Sequence, residues 1–311
     1  MKRKTIIILI IVGLLLTLGA VAAILFFGSK THNTTPVRIY LREGTTQQAL
    51  VDTLQAHGIL EKGLNTQFFN FQFSIFNSKI RPGSYVVEPG TKTLALVRRF
   101  RNGQQTPIRL TIGKFRLPKQ LNKYLDSKLM HNDFDIPLDS FHLVRPNTYE
   151  FYWTVTPDQF LQRMRKEYDR QGVDKETIIL ASIVEEETNN NAEKPLIASV
   201  YLNRLKRGMP LQADPTVKYA VGDFTLQRIL NRHLAVESPF NTYLHTGLPP
   251  APICLPSAAS VEAVLHAPET DFIFFCASDK MDGTHRFAAT LAEHNRNAAA
   301  FHSALNARGI K

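Results

Sequence analysis

Apolar residues run without a charge from Ile6 to Phe27, broken only by Thr17 and two glycines. A helix over that stretch rises about 1.5 Å per residue, enough to cross the roughly 30 Å hydrocarbon core of a bilayer. Lys2, Arg3 and Lys4 stand just before it, and such a basic flank holds an N-terminus in the cytoplasm. Ala20-Val21-Ala22 resembles a signal cleavage site, but the apolar run continues through Phe27. Signal peptides carry an apolar region of only about 7–15 residues, so the reading is an uncleaved single-pass anchor. The rest of the chain is then expected outside the inner membrane, on the periplasmic side.

Beyond a polar linker (29–36) the pattern becomes that of small mixed elements. Val37–Arg42 alternates as a strand. Thr45 or Thr46 caps a helix running to His57, with Ala49, Leu50 and Leu54 inward and Gly58 closing it. A second helix is expected from Asn65 to Phe76. Its Phe68, Phe69, Phe71, Phe73 and Phe76 read as small-domain core or as a membrane-proximal contact. Ser84–Val87 follows as a strand, and Leu94–Phe100 as a helix ending at Gly103. Arg109–Ile112 and Leu117–Leu129 repeat the strand-then-helix theme. Pro157-Asp158 opens a helix to about Arg170, and Gly172 marks a boundary.

The C-terminal part is organised around Thr177–Thr188, TIILASIVEEET. Wound at about 100° per residue, Ile179, Leu180, Ile183 and Val184 form one stripe. Glu187 continues that stripe, Glu185 falls on nearly the opposite face and Glu186 between them. A carboxyl on a buried stripe has its pKa raised, which suits a general acid near neutral pH; the competing reading is a frayed, solvated helix end. Asp174 caps this helix. Pro195 opens another, with Leu196, Val200, Tyr201 and Leu205 apolar. Asp214 before Pro215 reads as the cap of a short helix ending near Gly222. Ser238–Pro256 carries five prolines and one glycine, too rigid for a linker and too irregular for a helix, as in loops that line sites. Ser257 caps a helix to His266. Asp271–Ser278 and Thr284–Ala288 read as a hairpin about Asp282-Gly283, and Leu291, His294, Ala298, Phe301 and Leu305 mark an amphipathic last helix.

The chain has 311 residues, is 44% hydrophobic and 21% charged, and carries a formal net charge of +10. That composition is globular. The basic balance fits an acidic polymer or anionic lipid, and an extracytoplasmic location excludes nucleic acid. Cys254 and Cys276 either pair or stay as buried thiols. No Cys/His spacing fits zinc, and no cofactor is expected.

Glu187-Thr188, Asn203–Ala220 (NRLKRGMPLQADPTVKYA) and Asn241–Pro256 (NTYLHTGLPPAPICLP), in that order, resemble the endolytic murein transglycosylase family (YceG-like, MltG-type). The resemblance implies an α+β fold: an N-terminal transmembrane helix, a small LysM-like α/β module and a mixed α+β catalytic domain. The implied boundaries are 1–28 for the cytoplasmic tip and anchor, 29–36 linker, 37–103 LysM-like, 104–172 connecting, and 173–311 catalytic. The implied activity is cleavage of the β-1,4 bond between N-acetylmuramic acid and N-acetylglucosamine without water, leaving a 1,6-anhydro end. Peptidoglycan strands are the implied substrate, the bilayer is contacted through residues 5–27, and peptidoglycan synthases are further expected partners.

The family's catalytic glutamate maps to Glu187, with Glu185 the rival. The substrate-binding candidates are Gln212, Asn241, Tyr243, Asp214, Asn203 and Arg204. Tyr243 would stack on a sugar face and Asn241 read hydroxyls. Gln212 reads a sugar or satisfies buried backbone; Asp214 is a cap or a second carboxylate; Arg204 pairs with a carboxylate. His285 and Phe287 border the cleft or are structural. Two departures from the family stand out: Val144-Arg145-Pro146-Asn147 where relatives carry Glu-Gly before Pro-Asp, and Glu186 where a basic residue is common, expected on a solvated face. A two-carboxylate hydrolase and a non-catalytic wall-binding scaffold remain as alternatives.

Overall fold

The computed structural model describes residues 3–75, 79–226 and 228–308, apart from the side chains of 3–6 and 24–26. Phe76, Lys2 and the side chains of Arg3 and Lys4, which entered the reading above, therefore lie outside the described residues. The chain divides into two compact units. One comprises residues 1–110, 128–131 and 150–155; the other comprises 111–127, 132–149 and 156–311. Residues 104–172 are thus shared between both.

The first unit begins with α1 (Arg3–Gly28), 26 residues long. Its described side chains, Ile7 to Ala23, are all exposed, with Leu16 70% exposed. Among the described residues no helix is long and apolar enough to cross a membrane, so the structure does not establish the anchor expected over Ile6–Phe27. Then follow β1 (Val37–Leu41), α2 (Gln47–Ala56), α3 (Leu64–Ile75), β2 (Gly83–Val87), α4 (Thr93–Asn102) and β3 (Ile108–Ile112). β1 and β2 are antiparallel, from Val37 opposite Val87 to Leu41 opposite Gly83. Strand alternation puts Ile39 and Leu41 inside and leaves Tyr40 out. The α2 cap is Thr46, whose hydroxyl accepts from the Ala49 N–H. The phenylalanine run splits by helical period: Phe69 and Phe73 enter the core with Leu50, Leu54, Tyr85 and Phe100, while Phe71 faces out.

The second unit holds α5 (Pro118–Lys128), a 3-10 turn (Leu138–Leu143), α6 (Pro157–Gln171), α7 (Lys175–Glu187), α8 (Lys194–Lys206), α9 (Asp214–Val221), α10 (Asn231–Leu234) and α11 (Ala258–Leu265). β3 and β4 (Asn147–Phe151), which are paired, each have residues in both units, while β5 (Phe274–Ala277) pairs antiparallel with β6 (His285–Ala288) before α12 (Leu291–Ala307) within the second. Helix ends follow the expected chemistry. Thr156 and Gln159 form a capping box on α6, and Gly172 closes it at φ 64°, a left-handed conformation that glycine adopts without strain. Asp174 caps α7 through the Thr177 N–H. α7 is the centre of the unit, packed by α8, α9 and α11. Every residue from Ile178 to Val184 is buried, so the one-sided stripe of the sequence becomes a helix enclosed all round. In α12 the half-buried positions include His294, Ala298, Phe301 and Leu305, while Leu291 is 58% exposed and off that stripe.

Candidate active site

Three consecutive glutamates at the end of α7 meet three different surroundings. Glu185 accepts Lys194 Nζ at 3.1 Å and the hydroxyls of Ser257 and Ser260, both at 2.5 Å. Glu186 takes Lys114 Nζ at 2.8 Å and Arg116 Nη2 at 2.9 Å. These donors hold both carboxyls below the usual range even though burial works the other way. Glu186 is thus part of a half-buried ion-pair cluster and not of the solvated face expected for it. Cations from residues 114 and 116 converge there, out of sight of any local pattern.

Glu187 has no such cationic partner among the described residues. The Tyr201 hydroxyl donates to Glu187 Oε1. Burial pushes the Glu187 carboxyl up to about 7; the Tyr201 hydrogen bond opposes this, the Asp214 charge adds to it, and Lys218 and Arg204 lower it. A carboxyl in that range gives up and regains a proton near neutral pH. Tyr201 is 1% exposed, its ring edge-on to Phe275 at 5.8 Å, and burial keeps its phenol well above its ordinary value. It therefore remains a donor. α7 ends at once after Glu187: Thr188 is extended, and its hydroxyl accepts from the Asn190 N–H.

Two cavities share Glu187. One, of about 470 Å³, is lined also by Asp214, Lys218, Arg116, Phe224 and Ile253. The other, of about 710 Å³, is lined also by Thr188, Asn189, Asn190, His285 and Phe301. His285 reaches its cavity wall with its Nδ1 3.0 Å from Glu193 and its backbone N–H donating to the same carboxylate. Phe287 packs into the core around α7 and α8 instead.

The candidates sort sharply. Asp214 is not the cap of α9: Ala213 holds that position, without a side-chain hydrogen bond, and Asp214 is the first helical residue. Its Oδ1 accepts the Tyr243 hydroxyl at 2.6 Å. That partner lies 29 residues away and outcompetes the local backbone. Tyr243, its phenol raised by burial and then by Asp214, thus steadies Asp214 in the wall of the cavity at Glu187, while its own side chain lines neither cavity.

Asn241 is fully buried. Its amide donates to the carbonyls of Leu234 and Val236, both at 2.9 Å, and its Oδ1 accepts the Tyr243 N–H. It holds the proline-rich loop and has no amide hydrogen left to read a sugar. Arg204 pairs with no carboxylate among the described residues. Its guanidinium donates to the carbonyls of Ile273 and Leu211, both at 2.7 Å, and so pins the segment before α9 to the residue that precedes β5. Asn203 donates to the Thr270 and Phe272 carbonyls and lines a separate groove of about 410 Å³. It lines neither cavity at Glu187. Gln212 is exposed and sits at φ 50°, a left-handed conformation that costs a non-glycine residue on the order of 1 kcal/mol. Its N–H donates to the Thr242 carbonyl.

Tyr201, Lys218 and Arg116 join the site without having been singled out from the sequence. For Tyr201 a signal existed: a phenol among aliphatic core positions needs a partner for its hydroxyl. Cys254 and Cys276 are both free thiols. Among the described residues no group of three or more His, Cys, Asp or Glu side chains could hold a metal ion.

The family model described as YceG-like matches residues 39–300. The chain is similar to the endolytic murein transglycosylase of Bacillus subtilis (strain 168), 45% identical over 129 residues, which make up 42% of this chain and 35% of that protein. It is similar also to the endolytic murein transglycosylase of Streptococcus pneumoniae serotype 2 (strain D39), 34% identical over 128 residues, 40% of this chain and 23% of that protein. The match therefore spans about a third or less of the length of these relatives. A crystallised YceG-like protein from Listeria monocytogenes aligns over 85% of this chain and 99% of its own at 25% identity, with a TM-score of 0.49.

Proposed function

This chain belongs to the YceG-like family, and from that premise we propose that it is an endolytic peptidoglycan transglycosylase in which Glu187 is acid and then base. The observation that carries the proposal is the placement of Glu187: alone among the three glutamates it lacks a cation partner among the described residues, lines two cavities, and has a carboxyl near pKa 7. In the first step protonated Glu187 gives its proton to the glycosidic oxygen, and the bond from that oxygen to C1 of the muramic residue breaks. In the second, the Glu187 carboxylate takes the proton of the C6 hydroxyl of the same residue. O6 then bonds to C1, closing the 1,6-anhydro ring and restoring the acid with no water consumed. Tyr201 occupies Oε1 and leaves the other oxygen for the substrate. Space on both sides of the acid suits attack within a strand rather than at its end.

α1 is proposed as the anchor that keeps the enzyme beside new, uncross-linked strands, with the remainder outside the cytoplasmic membrane. The β1-α2-α3-β2 order with antiparallel strands supports a LysM-like, sugar-binding role for the first unit. Asp214, facing the same cavity as Glu187, favours one second reading, a hydrolase in which it is the other carboxylate. Mass spectrometry of digested glycan separates the two. Anhydro ends, one water lighter than reducing ends, are the expected product; reducing ends from the start of the reaction would establish the hydrolase. Full cellular function in a Glu187→Gln strain would leave only a wall-binding scaffold.

A further inference from the structure

The cavity on the Asp214 side of Glu187 has a wall of charge that the bond-breaking step does not use. Arg116, Lys218 and Arg228 line it together with Glu186, Glu187 and Asp214. On count the charges cancel, but not on pairing. Arg116 is spent on Glu186, with its guanidinium carbon 5.2 Å from the centre of the Phe224 ring. Glu186 is further neutralised by Lys114. Asp214 accepts the Tyr243 hydroxyl and keeps its charge. Lys218 and Arg228 form no ion pair among the described residues. Lys218 follows Asp214 by one turn of α9, about 6 Å along the axis, and Arg228 comes from the segment after that helix. Two cations held in no ion pair leave their N–H donors on this concave wall free to meet an anion.

We propose that Lys218 and Arg228 form an anion-reading subsite that takes a carboxylate borne by the lactyl arm of a muramic residue. The inference rests on the glycan-cleaving reading of the site. It adds the part of the substrate that selects peptidoglycan over a neutral polymer of the same backbone. A sugar ring alone asks for hydroxyl readers and aromatic faces; this wall instead offers an ammonium and a guanidinium, the latter matching a carboxylate with two parallel N–H donors. Two sources supply the group: the lactyl carboxylate itself where the stem peptide has been removed, or an acidic residue of the stem where it is present.

The experiment is a titration of the full chain and of its Lys218→Ala/Arg228→Ala variant with three soluble probes. They are GlcNAc-MurNAc with a free lactyl group, the same disaccharide with its stem peptide, and neutral chitobiose. The expected result is a loss of tenfold or more for at least one acidic probe, steeper at low salt, with chitobiose binding unchanged. Whichever acidic probe suffers more names the source. A Lys218→Arg/Arg228→Lys variant should restore binding, and matching thermal melts exclude misfolding. Equal binding of all three probes by the parent and alanine variant, or an equal loss for chitobiose, overturns the subsite. Because the readout is binding, a wild-type protein that binds acidic probes selectively but cuts no strand would refute the activity and leave the subsite standing.

Discussion

The ion-pair floor around Glu185 and Glu186 and the pocket around Glu187 are built on adjacent residues of one helix, yet they treat the same side chain in opposite ways. In the floor, Lys194, Lys114 and Arg116 meet the carboxylates directly and fix them as anions. In the pocket, the neighbours of Glu187 are a phenol and another carboxylate. A phenol steadies a carboxylate by hydrogen bonding without cancelling its charge, so the proton stays exchangeable. The lesson is that burial and partners act together: burial is the first cause of the raised Glu187 carboxyl, and the cations that reverse the same push at the less deeply buried Glu185 and Glu186 do not meet it.

The largest effect expected from breaking this contrast is in Glu187→Gln. Anhydro-end formation should fall by about a thousandfold or more, as for the loss of an essential acid that is also the base, while the melting temperature holds. A modest loss of rate would move the role to another carboxyl. Next comes Lys194→Ala on the floor side. Lys194 is 4% exposed, and stranding a buried Glu185 should cost about 3–5 kcal/mol in denaturant unfolding; an unchanged midpoint would show that the two serines suffice.

The pH dependence of stability carries the opposed signs. The Glu187 carboxyl is raised from 4.5 to about 7, so its favourable contribution is present below pH 4.5 and is lost as pH rises towards 7, on the order of 3 kcal/mol at most. Glu185 and Glu186 are depressed, so theirs is present above the unfolded value and lost as pH falls below it. Unfolding of wild type and Glu187→Gln measured from pH 5 to 8 should therefore diverge, with only wild type losing stability on this account. The smallest effect belongs to Tyr201→Phe. It removes the hydrogen bond that lowers the Glu187 pKa, so the alkaline limb of the rate profile should move to higher pH. The rate should drop about tenfold as the carboxyl loses its orientation. An unmoved limb would show that the phenol only fills space.

Much of the scaffold was legible because its signals are local. Asp174 capping α7, the Pro157-Asp158 opening of α6 and Gly172 at its end are each decided within a few residues. Glu187 itself emerged from helical period, though its stripe was read as one face of a helix that the structure encloses completely. What escaped notice depends on distant partners. Asp214 turned from cap to site wall because a tyrosine 29 residues on bonds to it. Asn241 became a loop strut because the carbonyls of Leu234 and Val236 claim its amide. Arg204 faces carbonyls rather than a carboxylate. No window of sequence contains those pairings. Proline counting found the loop but could not say which of its side chains point out.

In the loop 238–256 the five prolines cannot donate hydrogen bonds, and two of the remaining N–H groups tie the loop down. Ile253 donates to the hydroxyl of Ser182 at 3.0 Å in the middle of α7, and Leu255 to the Phe115 carbonyl at 2.8 Å. The wall is thereby riveted to the same rod that carries Glu187, and a ligand arriving there meets a berth already cast. Little ordering entropy is left to lose on docking, so a stiff mimic of the flattened sugar cation should profit from its rigidity in full.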